Sequence, residues 1–395
     1  MTGAQKPAVL ANVRADRRHL YDEIFPGLLD ERGHHRAAAA IRAFPGYAPT
    51  PFVTLPRLAA EIGAGSLDVK YEAPRFGLGS FKALGGAYAV YCAVARAVRI
   101  ATERWPDAAE LVDGAHRDIA ASITVTCASE GNHGRSVAWG AQLFGCRAVI
   151  YLPHHVAAAR VAAIAQHGAA IVRVPGTYDD AVLVAERDAE KHGRTIVSDT
   201  AYANREDSPV DVMQGYTVLA QEMMDAWGAE PPTHVFVQAG VGGLAAAVAA
   251  HLWRAYGPVR PRFVVVEPAG AACVLESARA GVLTPIEGEP HTNMSCLACA
   301  IPSTIAWRIL DRAADAFVAI DDDDAIAAVR RLAGSDDDQP IVTSESGAAA
   351  VGALLALTRT PSLRVRLGLG TDARIACIVS EGANDPERYA VLVGG

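Results

Sequence analysis

The chain has 395 residues, enough for two domains, with 51% apolar and only 6% aromatic side chains. Its alanine-rich runs suit helices packed tightly on sheets. The 36 Lys and Arg against 44 Asp and Glu give a formal charge of −8 with no basic block. That balance argues against nucleic acid and anionic membranes as partners, and any phosphate-bearing ligand must be held by local backbone dipoles.

Residues 14–63 read as helical and irregular, with disorder confined to the first dozen residues and a helix introduced by Thr50-Pro51 around Leu58 to Ile62. A β-prone piece at 68–72 runs into a turn carrying Pro74, Gly77 and Gly79. Ser80 stands where a helix N-cap belongs, and Ala83, Ala87, Val90 and Val94 continue in helical register. Lys82 then falls in the first turn, where the helix dipole disfavours a cation and burial favours the neutral, nucleophilic amine. A solvated lysine beside a cap is the competing account, but Phe81, Leu84 and Gly85-Gly86 leave little reason for a wet face.

From residue 123 onward strands and helices alternate. Strands are expected at 123–127, 148–152, 170–174, 195–198, 233–238, 262–267 and 373–379, and helices at 134–144, 157–166, 178–192, 210–227, 243–256 and 346–357. Such alternation is the mark of βαβ units on parallel sheets. Two more helices are expected after Thr292. The Asp runs at 321–324 and 336–338 read as a helix start and a solvated loop. No stretch is read as long enough to span a membrane, and the N-terminus lacks the apolar core of a secretory signal. Seven scattered cysteines, an odd number, suit reduced thiols in a cytoplasmic protein.

Two turns carry chemistry. Gly240-Val241-Gly242-Gly243-Leu244 joins a strand to a helix with backbone N–H groups unobstructed by side chains, an arrangement suited to an anion. Its spacing is neither the dinucleotide fingerprint nor an NTPase loop. Ser129-Glu130-Gly131-Asn132-His133-Gly134 is a second strand-to-helix turn, able to offer N–H donors to a carboxylate; His133 reads as structural more readily than as a titrating group. Asp199 closes a strand at the end where parallel sheets place function, with a helix-capping role as the alternative. Ser380 follows the last strand. Cys296 and Cys299, two residues apart from each other with no second pair, point to core packing rather than a metal.

Together with Arg75-Phe76-Gly77-Leu78-Gly79-Ser80-Phe81-Lys82, these motifs resemble the pyridoxal-phosphate (PLP) enzymes of the tryptophan-synthase β-subunit type, and within them most closely the diaminopropionate ammonia-lyases. The resemblance runs in order from about residue 70 to about residue 385. It implies an α/β fold of two domains, each a mostly parallel twisted sheet flanked by helices. Residues 1–102 and 206–395 would form a large PLP-binding domain and 103–205 a small one, with PLP in the cleft between them. Lys82 would attach the cofactor, with Phe81 beside it. Asn132 would contact the ring's 3′-oxygen, Gly240 to Leu244 would grip the phosphate, and Ser380 would face the ring nitrogen. Asp199 would handle substrate. Glu130 stands where the resembled family has an Asp base for the D-isomer, so the carboxylate is kept but reaches one methylene further. The implied reaction is α,β-elimination of 2,3-diaminopropionate to pyruvate and ammonia by a homodimer, and no metal-ligating residues are assigned. Another PLP β-eliminase is the alternative: a serine, threonine or hydroxyaspartate dehydratase, or a specialised biosynthetic lyase. A non-catalytic protein binding a phosphorylated metabolite would leave Lys82 idle.

Overall fold

The structure is a computed structural model that describes residues 6–201, 206–334 and 338–394; Asp336 and Asp337 of the second acidic run lie outside these. Internal contacts divide the chain into two compact units, Met1–Leu28 with Pro49–Pro74 and Leu219–Gly395, and Leu29–Ala48 with Arg75–Val218. The second unit takes in 103–205 together with 29–48, with 75–102, which carries Lys82, and with 206–218.

The strands are β1 (Ala8–Ala11), β2 (Phe52–Thr54), β3 (Ser66–Tyr71), β4 (Thr124–Ala128), β5 (Arg147–Pro153), β6 (Ala170–Val174), β7 (Thr195–Ile196), β8 (His234–Gln238), β9 (Arg262–Pro268), β10 (Ala316–Ile320) and β11 (Arg374–Val379). The first unit holds a seven-stranded sheet in the order β1-β10-β9-β8-β11-β3-β2. Its five central strands run parallel, and β1 and β2 close the two edges antiparallel. Val264, Val265 and Val266 of β9 and Ile375 to Val379 of β11 are buried as continuous runs, as expected of strands covered on both faces. The second unit holds a four-stranded, all-parallel sheet in the order β6-β5-β4-β7.

Four expectations need correction. Order reaches back into the first dozen residues, because β1 pairs with β10. β10 itself was not anticipated: only five residues long, it lies between a helix and the acidic run, where no period could develop. Near residue 58 the helix is Pro56–Glu61, with Pro56 at its first position, where the missing N–H costs nothing. The Lys82–Thr102 helix, 21 residues at mean hydropathy 1.2, is long and apolar enough to cross a membrane by length and composition, contrary to the sequence reading. Its apolar residues are nevertheless mostly buried within its own unit.

Glycines let that helix be surrounded closely. A Cβ at Gly85 would lie 2.5 Å from the Tyr216 ring, one at Gly86 would strike Ser136 Oγ, and one at Gly140 would lie 2.8 Å from Ala87 Cα. The Asn132–Phe144 and Asp207–Trp227 helices therefore approach the Lys82–Thr102 helix where Lys82 begins it.

Candidate active site

Lys82 is the first residue of its helix, but Ser80 does not cap it; the N-cap position is Phe81, which makes no side-chain cap bond. The segment is fixed instead from the next helix. Ser136 Oγ donates to the Lys82 carbonyl at 2.8 Å and accepts from Ala87 N–H at 3.0 Å. Lys82 Nζ lies 5.4 Å from the Phe81 ring centroid and donates to Asp199 Oδ2 in an ion pair whose side chains are 21% and 12% exposed. Asp199 is thus committed to Lys82 rather than to a helix end. Burial works to raise its pKa, but the Lys82 charge, with His133 behind it, outweighs burial and holds the carboxyl far below the usual range.

His133 completes this cluster. Its Nε2 donates to Val197 O at 2.8 Å, its Nδ1 lies 3.9 Å from Asp199 Oδ2, and burial pushes its pKa down against the pull of Asp199. The Val197 carbonyl fixes the ring's orientation behind Asp199. Tyr216 is a member that sequence reasoning missed. Its ring packs on Phe81 at 4.8 Å between centroids, and its Oη is buried without completing a hydrogen bond. Burial pushes this phenol far above its ordinary pKa, and the charges of Lys82 and Asp199 act on it in opposite directions. A tyrosine inside a long helix reads as core in any sequence; only Gly85, which makes room for its ring, hinted at the approach.

The 129–134 turn is organised by its own serine. Ser129 Oγ accepts from Gly131 N–H at 3.0 Å and Gly134 N–H at 2.8 Å, so these two donors are spent inside the turn rather than offered to a ligand carboxylate. Asn132 opens the following helix. Glu130 hydrogen-bonds away from the Lys82 cluster: His155 Nε2 is 3.3 Å from its Oε1, and Arg160 donates to its carbonyl at 3.4 Å. Burial raises the Glu130 pKa, and His155 and Arg160 partly oppose it.

In the first unit, the turn after β8 has the predicted geometry. Gly242 sits at φ +93° and opens the Gly243–Tyr256 helix, whose Ala246 N–H returns to Gly242 O at 2.9 Å. The N–H groups at the start of a helix stand outside its own ladder, a geometry suited to an anion. Side chains are excluded from it, since a Cβ at Gly240 would lie 2.9 Å from Cys299 Sγ and one at Gly242 3.2 Å from Ala306 and Leu310. Ser303 N–H fixes the Val241 carbonyl at 2.9 Å, and Leu244 is buried in the helix that follows. Ser380, just past β11, accepts from Gln238 Nε2 at 2.8 Å. Cys296 Sγ donates to Glu381 Oε2 at 3.4 Å and Cys299 packs on Gly240; both are free thiols.

The residues present fit a phosphorylated aldehyde. An amine is held against a carboxylate at a helix start beside an unpartnered buried phenol, a glycine cradle would be filled by any Cβ, and a serine hydroxyl stands at a strand end. A family model described as "Pyridoxal-phosphate dependent enzyme" matches residues 43–381. The chain is 36% identical over 356 residues to diaminopropionate ammonia-lyase of Escherichia coli, covering 88% of each. Its fold matches the holo crystal structure of the Escherichia coli enzyme with a TM-score of 0.88 at 33% identity, over 99% of this chain and 97% of that one. A second structure of that enzyme, in complex with an aminoacrylate-PLP azomethine reaction intermediate, matches with a TM-score of 0.87 at 33% identity over the same shares. The chain therefore belongs to the pyridoxal-phosphate dependent enzyme family, in its diaminopropionate ammonia-lyase branch.

Proposed function

We propose that this enzyme eliminates ammonia from 2,3-diaminopropionate, giving pyruvate and a second ammonia on hydrolysis of the product. When bound, PLP supplies the electron sink that stabilises negative charge at the substrate's Cα. Lys82 Nζ would hold the cofactor through its aldehyde, and the same amine is the group placed to take the substrate's Cα proton. The N–H groups of the 240–244 turn would hold the phosphate, Asn132 the ring oxygen and Ser380 the ring nitrogen, with Phe81 beside Lys82. Asp199 remains ionised beside a cation, which suits it to bind the substrate's β-ammonium and orient it as the leaving group. The part-buried ion pair of Lys82 with Asp199, flanked by the buried Tyr216, is the observation that carries this reading.

Glu130, with its pKa raised by burial, is a candidate acid–base group on the opposite hand of the substrate. Its longer side chain, drawn toward His155, should displace it from the D-isomer's proton. A panel of L- and D-2,3-diaminopropionate, L-serine and L-threonine tests the assignment through pyruvate or 2-oxobutyrate release. The L-diamine should turn over far faster than the hydroxy amino acids and the D-isomer weakly. Preference for serine or threonine would make the enzyme a dehydratase instead, and equal turnover of both enantiomers would overturn the reading of Glu130.

The acidic charge and the cysteines outside disulfides further suggest a cytoplasmic enzyme without nucleic-acid or membrane partners, and the resemblance to the diaminopropionate ammonia-lyases suggests a homodimer. Sedimentation should give twice the chain mass, and a monomer would refute the dimer.

A further inference from the structure

Gln238 ends β8 and is almost fully buried, 2% exposed. Its Nε2 donates to three oxygens: Ser380 Oγ at 2.8 Å, Gly347 O at 3.1 Å and Ser346 O at 3.3 Å. Two of the three are backbone carbonyls, which only accept. The amide can therefore not be turned over, because its oxygen would then face two others with no hydrogen between them. Gln238 Oε1 is left buried without a partner, the cost of keeping the nitrogen on this side.

The consequence falls on Ser380. Its hydroxyl is buried, and the hydrogen bond it makes is one in which it accepts. Among the described residues nothing accepts the hydroxyl's own hydrogen. The neighbouring carboxylate is committed elsewhere, since Glu381 Oε1 takes Ser344 Oγ–H and Oε2 takes Cys296 Sγ–H. A buried O–H without an acceptor is a donor held in reserve.

We infer that Gln238 is a positioning residue: by filling Ser380's lone pair, it makes that hydroxyl a donor toward the cofactor's ring nitrogen and keeps the nitrogen unprotonated. The inference rests on the reading in which Ser380 faces that nitrogen. An unprotonated ring is the weaker electron sink. It favours expulsion of the β-substituent over storage of charge in the ring, so Gln238 biases the enzyme toward elimination and away from transamination. If Gln238 is replaced by Leu, the Ser346 and Gly347 carbonyls lose their donor and draw the Ser380 hydrogen to themselves. If it is replaced by Glu, the new carboxyl accepts that hydrogen directly. In either variant Ser380 then presents lone pairs to the ring and favours a pyridinium.

The test uses holoenzyme loaded with PLP labelled with ¹⁵N in the ring. The wild-type ring nitrogen should resonate as an unprotonated, hydrogen-bonded pyridine. In Gln238→Glu the resonance should move toward the pyridinium position, with more pyridoxamine phosphate released per turnover. A double-mutant cycle that does not depend on the folding of the Glu variant accompanies it. Gln238→Leu should lower kcat about tenfold in the wild-type background, as expected for one misdirected hydrogen bond, and have no further effect in Ser380→Ala. Equal losses in both backgrounds would make Gln238 merely structural and overturn the inference. A wild-type ring that is already a pyridinium, or a Gln238→Glu resonance identical to wild type, would overturn it as well. Failure of borohydride to fix PLP on Lys82 would instead refute the underlying reading, so the two failures are distinguishable.

Discussion

Removing one oxygen from Tyr216 should make the cofactor-free chain more stable and the loaded enzyme slower. The Tyr216 side chain is 1% exposed, its Oη completes no hydrogen bond, and its ring is held by Phe81 at 4.8 Å and by the space over Gly85. A buried hydroxyl without a partner costs about 1–3 kcal/mol. Phenylalanine keeps the ring contacts and gives up only the few dispersion contacts of the oxygen, worth ~0.1–0.2 kcal/mol each. The net gain is about 1 kcal/mol, which for a folding unit of this size raises Tm by roughly 2–4 °C. Differential scanning calorimetry of the cofactor-free Tyr216→Phe protein measures it. In the loaded enzyme the phenol, packed on Phe81 and acted on by the Lys82 side chain, is placed to donate toward the Lys82 amine. There it orients the lone pair toward the Cα proton, and kcat should fall about tenfold with little change in KM, the signature of an interaction made during the chemical step. A lower Tm than wild type would mean that the hydroxyl has a partner after all. An unchanged kcat would remove Tyr216 from the working site.

Asp199→Asn leaves the part-buried Lys82 without its counter-charge and should cost about 1–3 kcal/mol at pH 7 by urea unfolding. The Asp199 pKa is depressed in the fold, so the wild-type advantage exists above the ordinary carboxylate range and vanishes as pH falls through the folded value. Gly240→Ala places a methyl 2.9 Å from Cys299 Sγ and 3.3 Å from Cys296 O and Leu297 Cα, so the turn must shift and PLP affinity should drop at least tenfold by fluorescence titration. Unchanged affinity would show that this turn does not grip the phosphate. Glu267 is fully buried, and burial pushes it up to about 8 against hydrogen bonds from Val274 N–H at 2.8 Å and Leu275 N–H at 2.7 Å. Its folded pKa lies above its unfolded one, so the stability it contributes is complete below about pH 4.5 and is lost as pH rises through 8, at most ~1.4 kcal/mol per pH unit. Glu267→Gln should flatten the pH dependence of Tm between pH 5 and 8; a slope that survives the substitution would assign it to another group.

Periodicity carried most of the fold. The Tyr178–His192 and Gly243–Tyr256 helices fall where the apolar spacing put them, and β6 and β9 begin at their predicted residues. What was missed is short or set at an edge. β1 and β2 have four and three residues and exist because a neighbouring strand offers them an edge, which no local pattern records. Among the candidate residues, Lys82, the 129–134 turn and Asp199 in the second unit, and the 240–244 turn and Ser380 in the first, could be picked out because a motif surrounds each. Tyr216 and Gln238 were not legible. One is a helical aromatic and the other a strand-end amide, and each matters through an atom left unpaired in three dimensions. Ser80 misled because a good capping residue lies two positions before a helix whose start is fixed instead by Ser136 from another helix.

The chain contains four lysines, Lys6, Lys70, Lys82 and Lys191, and Lys70 is already buried against Glu222 Oε2 at 2.6 Å and Thr50 O at 2.8 Å. Borohydride reduction of the PLP-loaded protein followed by peptide mapping therefore tests the central claim directly. The pyridoxyl group should be found on the peptide containing Lys82 and on no other, with loss of the visible absorption band. A label on Lys6, Lys70 or Lys191, or a protein that takes up PLP without being fixed by borohydride, would contradict the account.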